Sequence, residues 1–239
     1  MKDSRLSYSA LKAFAKSPNH FIYYKTKPQP DAQHFAFGRA THGYILERDK
    51  FEDQFLIMPK VDRRTKAGKE QYAELMSNAG ERQLVDESDM ATIQAMTYAV
   101  NESGNAMQLL SNTQRELHKE GDIQGVPFHG YADAVNDQYA IDLKTCRDAS
   151  PGAFMRDAHN LDYHLQAAVY RALFNVDRFY WIAVEKEAPH NVSVYMQSAD
   201  AAQKSDHYLS QLIKKWNAWD GNPQAYSDDI LTLDLPRWA

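Results

Sequence analysis

The sequence predicts an α/β (α+β) fold, a central mixed β-sheet flanked by helices with a helical N-terminal part. Three observations carry this prediction. Helical periodicity dominates the first hundred residues, strand-like alternation begins near Thr113, and from there the order is three strands, two helices, two strands and a long helix. With 239 residues, 44% hydrophobic and 12% aromatic, the chain can build one large core. We read a single domain over 1–239: a mainly helical portion at 1–110, a strand-bearing core at 111–220 and a C-terminal tail at 221–239.

Each element has a local reason. Ser7 can cap a helix from Tyr8 to Lys16, stopped by Ser17-Pro18. The Pro-containing loop "KTKPQPDAQ" follows. "HFAFGRATHGYILERDK" reads as a helix in which Gly38 and Gly43 point to close approach of another backbone or ligand. "FLIMP" is a short strand, and 65–79 and 87–104 are helices, the second capped near Asp86 or Ser88. "TQRELHKE", "IQGVPFHGYADAV" and "QYAIDLKTC" alternate as strands, with Asn136-Asp137 as the turn between the last two. Helices at 151–159 and 162–174, a strand pair "RFYWIAVEKE" and "NVSVYMQS", a helix at 199–219 and a Gly/Pro-marked tail complete the order.

Composition excludes several function classes. The single cysteine, Cys146, rules out an internal disulfide framework and a four-cysteine zinc or iron–sulfur site. No run of 18 apolar residues and no signal-like N-terminus is present, so the expectation is a cytoplasmic protein without a membrane partner. A net charge of -5 argues against a basic coat on nucleic acid. It leaves open an enzyme with acidic metal ligands in a cleft and basic residues confined to a track leading there.

Asp133, Asp142 and Lys144 sit among apolar strand neighbours in "YADAVNDQYAIDLKTC". A two-residue turn at Asn136-Asp137 pairs Val135 with Gln138, Asp133 with Ala140 and Tyr131 with Asp142. One face then carries Tyr131, Asp133, Ala140, Asp142 and Lys144; the other carries Ala132, Ala134, Tyr139, Ile141 and Leu143. The two aspartates become diagonal neighbours, roughly 7–8 Å apart at the backbone. Adjacent carboxylates repel unless a cation neutralises them, and hard oxygen ligands suit Mg²⁺ or Mn²⁺. Charge pattern alone equally allows Lys144 to pair with both on a solvated face.

Asp133, Asp142-Leu143-Lys144 and the downstream "QAAVY" resemble the PD-(D/E)XK nuclease superfamily. Gln166 and Tyr170 match the Gln-x-x-x-Tyr element of its RecB-type branch, and "GRATHGYILE" resembles the upstream helix whose histidine, here His42, is the first metal ligand. "LSYSALKAFAKSP", "FGRATHGYILE", "DRRTKAGKE", "YADAV", "IDLKT" and "YHLQAAVY" follow the order of RecE-like phage and prophage exonucleases, covering most of 5–200. The superfamily's proline is absent: Tyr131-Ala132 precede Asp133. The resemblance implies a restriction-endonuclease-like core with one or two Mg²⁺ or Mn²⁺ ions per site. Asp133, Asp142, the Leu143 carbonyl and His42 would be ligands. Lys144 would position or help deprotonate the attacking water and stabilise transition-state charge. Gln166 and Tyr170, one helical turn apart, would support that site or contact the DNA strand.

The resemblance also implies the reaction: hydrolysis of the 5′-ended strand of linear duplex DNA, leaving 3′ tails for a RecT-like single-strand annealing protein. It implies as well a homo-oligomeric ring that threads double-stranded DNA ends. Arg63, Arg64, Lys66 and Lys69 can hold DNA phosphates or form a solvated charged face. Glu116, on the strand before the hairpin, can be a further acidic neighbour of the metal or a surface charge. His129 and His164 read as structural. Two other readings stand beside the exonuclease: a structure-selective or nicking endonuclease on the same fold, and a non-catalytic DNA-end-binding module.

Overall fold

The computed structural model describes residues 5–27, 33–62 and 64–224, with 226, 230, 232 and 233 in the tail; for 33–35 only the backbone is described. The helical N-terminal part runs α1 Tyr8–Lys16, α2 Pro18–Thr26, α3 Gln33–Leu46 and α4 Phe51–Gln54. Strand β1 (Phe55–Met58), α5 (Lys66–Ala79), β2 (Gln83–Asp86), α6 (Glu87–Glu102) and α7 (Gly104–Ser111) follow. The core comprises β3 Gln114–Ile123, β4 Val126–Val135, β5 Tyr139–Cys146, α8 Pro151–Asn160, α9 Tyr163–Phe174, β6 Arg178–Glu185, β7 Val192–Met196 and α10 Ala199–Ala218.

Ser7 caps α1 as expected, accepting from the Ala10 N–H. Ser17-Pro18 ends that helix but also starts α2: the Ser17 hydroxyl accepts from His20 N–H, and proline fits the first turn, where its missing donor costs nothing. The helix expected at 87–104 ends at Glu102, and Ser103 caps a separate helix, α7. β2, which no local pattern announces, pairs in parallel with β1.

The main sheet has the order β3-β4-β5-β6-β7, antiparallel except for the parallel β5–β6 pair, which is the predicted mixed sheet. Buried clusters lie on both faces. Residues of α1, α9 and α10 cluster with Phe128, Ala132, Val135 and Ala140 on one side. Leu46, Met96, Val100 and Leu110 pack with Ala134, Ile141, Leu143 and Ile182 on the other.

The β4–β5 turn lies one residue later than predicted. Asn136 Oδ1 accepts from Gln138 N–H and Tyr139 N–H, so the chain reverses around Asp137-Gln138 and Val135 pairs with Ala140. The correction slides the register by two positions and places Asp133 level with Asp142 rather than diagonal to it; Ala132, expected on one face with Ala134, Ile141 and Leu143, packs instead in the opposite cluster with Phe128. Only Ala134–Ile141 and Val135–Ala140 are paired; beyond them the strands part. Farther along, Leu6 takes up β4's released edge, its N–H donating to Pro127 O and its carbonyl accepting from His129 N–H.

Glycines let α9 lie close on β3 and β4. A Cβ on Gly130 would sit 3.3 Å from both Leu173 Cδ2 and Tyr170 Cε1, and one on Gly121 would sit 3.1 Å from Leu173 Cδ1. Gly130→Leu is therefore expected to lift α9 and cost about 1–3 kcal/mol by overpacking. Urea denaturation checks this, and a midpoint equal to wild type would show that α9 has slack.

Candidate active site

The site lies where β4 and β5 separate. Splaying strips Leu143 N–H of a ladder partner from β4, and the Asp133 carboxylate takes it at 2.7 Å. The same oxygen, Asp133 Oδ2, lies 3.3 Å from Nδ1 of His42, presented by α3. Glu116 completes the group: donor atoms of His42, Glu116 and Asp133 all lie within 4.8 Å of one another. Glu116 has a left-handed backbone (φ 45°), an uncommon conformation for glutamate that costs on the order of 1–3 kcal/mol and is typical of functional sites. Its neighbours Arg115 and Leu117 pair with Ala134 and Ala132, so it lies level with Asp133.

A second group adjoins the first. Asp142, 4% exposed, lies 2.7 Å from Lys144 Nζ. Gln166 joins the two: its Nε2 donates to Asp142 Oδ1 and its Oε1 accepts from Lys144 Nζ at 3.1 Å. Lys144 also stands over the Tyr163 ring, 4.5 Å from the centroid. Tyr170, one turn after Gln166, is wedged against Phe174, Phe179 and Gly130. Burial, then the charges of Asp142 and Asp133, push its hydroxyl pKa up.

Burial and mutual charge set the protonation of these groups. Burial opposes the charged form of His42, but Asp133 outweighs it and raises the imidazole to about 9. Burial, then Asp133, lifts Glu116 to about 7. Burial, opposed by Lys144, raises Asp142, and it also opposes the charge on Lys144, where Asp142 prevails and raises it. For Asp133, burial is overcome by His42, leaving it lowered. One nitrogen and two carboxylates converging in a partly buried site fit a divalent cation.

The structure thus brings together His42, Asp133, Asp142, Leu143, Lys144, Gln166 and Tyr170. It differs from expectation in the grouping: the convergent donors are His42, Asp133 and Glu116, while Asp142 is engaged by Lys144 and Gln166. A cleft of about 540 Å³ opens onto the site, lined by residues including Gly38, His42, Gly43, Glu47, Glu116 and Thr145. Gly43 abuts Phe55, whereas Gly38 faces open space. Arg64, Lys66 and Lys69 are exposed at the start of α5 and do not line this cleft; Arg64 pairs with Asp62 and Lys66 faces Glu70. Arg63 lies outside the described residues. His164 packs edge-on against Trp181 and meets Gln197, a structural environment.

A family model described as a PDDEXK-like domain of unknown function (DUF3799) matches residues 7–224. The crystal structure of a candidate exonuclease from Eubacterium rectale is similar over 97% of this chain and 91% of its own, with a TM-score of 0.62 at 12% identity, which shows a shared fold. A phage-related exonuclease from Haemophilus somnus 129PT aligns over 90% of this chain and 94% of its own at 13% identity, with a TM-score of 0.40. No curated protein matches the sequence.

Proposed function

Because the chain belongs to the PDDEXK-like family DUF3799, we propose that it is a divalent-metal-dependent deoxyribonuclease acting on DNA ends. The observation that carries this reading is the convergence of His42, Glu116 and Asp133 beside the Asp142–Lys144 pair. His42, Glu116 and Asp133 would hold the ion, with Asp142 and the Leu143 carbonyl as further ligands. A bound Mg²⁺ or Mn²⁺ lowers the pKa of its water and neutralises phosphate oxygens. Lys144, its pKa raised, keeps its proton at neutral pH; burial opposes this and Asp142 overcomes it. Its role is therefore a fixed cation that orients the attacking water and offsets charge developing on phosphorus-bound oxygens. Gln166 holds that ammonium and Asp142 in register, and Tyr170 braces α9 against β4.

The finer reading is 5′-to-3′ exonuclease action on linear duplex DNA, leaving 3′ tails for a RecT-like annealing partner, by a homo-oligomeric ring. The ordered sequence blocks support it; the similar structure from Eubacterium rectale is named only as an exonuclease. A duplex labelled separately at its 5′ and 3′ ends tests it against covalently closed circular DNA, with Mg²⁺ or Mn²⁺. Early release of the 5′ label and an intact circle are expected. If wild type is as inert as Asp142→Ala and Lys144→Ala on every linear substrate, the enzyme reading fails.

Metal binding should also depend on pH. His42 is protonated below about 9 and must lose that proton to act as a ligand. Mn²⁺ affinity is expected to rise between pH 7 and 9, with up to one proton released per ion from His42. Calorimetry in buffers of different ionisation enthalpy measures that proton, and a pH-independent affinity would exclude His42 as a ligand.

For cellular location, among the described residues no helix is long and apolar enough to cross a membrane.

A further inference from the structure

Tyr131 is 56% exposed although it lies on a central strand of the sheet. It pairs across the strands with His118, their rings 4.5 Å apart and tilted by 34°. The half-buried His129 extends the row, 6.2 Å from His118. The three rings therefore form a short track on the face of β3–β4 that the helices leave open. The track ends at the metal-binding group, since Tyr131 and His118 precede Asp133 and follow Glu116 by two residues each. That separation is about 7 Å along a strand. An ordinary cross-strand pair would account for the His118–Tyr131 contact. It does not account for a large aromatic left in water beside half-buried acids. The one carboxylate level with His129, Glu120, is neutralised by Arg5 at 2.9 Å.

We propose that Tyr131, stacked on His118, is a platform for an unpaired nucleobase next to the phosphate that a divalent cation at His42, Glu116 and Asp133 would hold, with His129 continuing the track. The inference rests on the nuclease reading and deepens it, because it makes the bound substrate single-stranded beside the reacting phosphate. Aromatic faces accept any base, so the platform imposes no sequence preference. The acids nearby repel phosphate, so stacking supplies the attraction that a basic groove supplies elsewhere.

The test uses a single-stranded 12-nucleotide DNA carrying 2-aminopurine, titrated with Ca²⁺ in place of Mg²⁺ or Mn²⁺ so that the carboxylates are neutralised while cutting is suppressed, and an abasic version of the same oligonucleotide. Wild type is expected to quench the 2-aminopurine. Tyr131→Ala should bind the complete oligonucleotide at least about tenfold more weakly, and Tyr131→Phe within about twofold of wild type. On the abasic oligonucleotide wild type and Tyr131→Ala should be equal. Thermal melting of each variant checks folding, which an exposed side chain should leave intact. Unquenched 2-aminopurine in the wild-type complex, or an equal loss on both oligonucleotides, overturns the platform. Hydrolysis of linear duplex with Mn²⁺ is measured in parallel. Cleavage without any Tyr131 effect on binding sinks the platform alone; neither cleavage nor binding sinks the nuclease reading with it.

Discussion

Asp133→Asn is expected to leave the protein folded and to lower DNA hydrolysis by about 10³-fold or more. The asparagine carbonyl can still accept the Leu143 N–H, so the join between β4 and β5 survives. The charge does not. His42 loses the neighbour that raises its pKa, and the donor group keeps only one of its two carboxylates. Charge stabilisation by a catalytic metal is worth several kcal/mol, and about 4 kcal/mol corresponds to about 10³ in rate. Asp133→Ala is the poorer experiment, because it also strands a backbone donor at a cost of about 1–3 kcal/mol. Mn²⁺ binding by calorimetry and release of an end label from linear duplex measure the two effects. A variant that binds Mn²⁺ normally and cleaves within tenfold of wild type would remove Asp133 from the ligand set.

Much of this geometry was legible in the sequence, for physical reasons that differ from residue to residue. Ser7 and the alternating β4 and β5 patterns are local signals, and each element formed where its own residues dictate. The turn was misplaced by one residue because Asn136 acts through its side chain, not as a central turn residue. The facing of Asp133 and Asp142 survived because strand periodicity tolerates a slide of two. Glu116 showed only as a charge on a strand. Its approach to His42 depends on α3, which is remote in sequence, and on a left-handed backbone that a glutamate does not advertise. The link through Gln166 needed the motif, since helix spacing says only that it shares a face with Tyr170. The basic run at the start of α5 carried no direction at all: like charges in a sequence state that a surface is charged, not which cleft it borders.

Lys144→Met should uncouple chemistry from stability in a way that a structural lysine would not. The ammonium is 19% exposed and is the nearest cation to a buried carboxylate. Removing it leaves Asp142 without its partner, a loss of about 3–5 kcal/mol for a broken buried pair. Lys144 is the main influence opposing burial at Asp142, so the substitution drives a carboxyl whose pKa is already raised still higher. The sign follows from linkage: a carboxyl with a raised folded pKa destabilises when ionised, so the deficit is largest at neutral and alkaline pH and disappears as acid protonates it. Asp142→Asn in the Lys144→Met background should recover most of that stability and abolish its pH dependence, because the amide oxygen can still accept from Gln166. Neither protein should regain activity, since the oriented positive charge is gone and one such donor is worth about 10²–10³ in rate. Urea denaturation at pH 5 and pH 8 with end-label release gives the four comparisons. Wild-type cleavage by Lys144→Met would remove Lys144 from the chemistry, and a stability deficit that Asp142→Asn fails to relieve would show that the lysine packs rather than pairs.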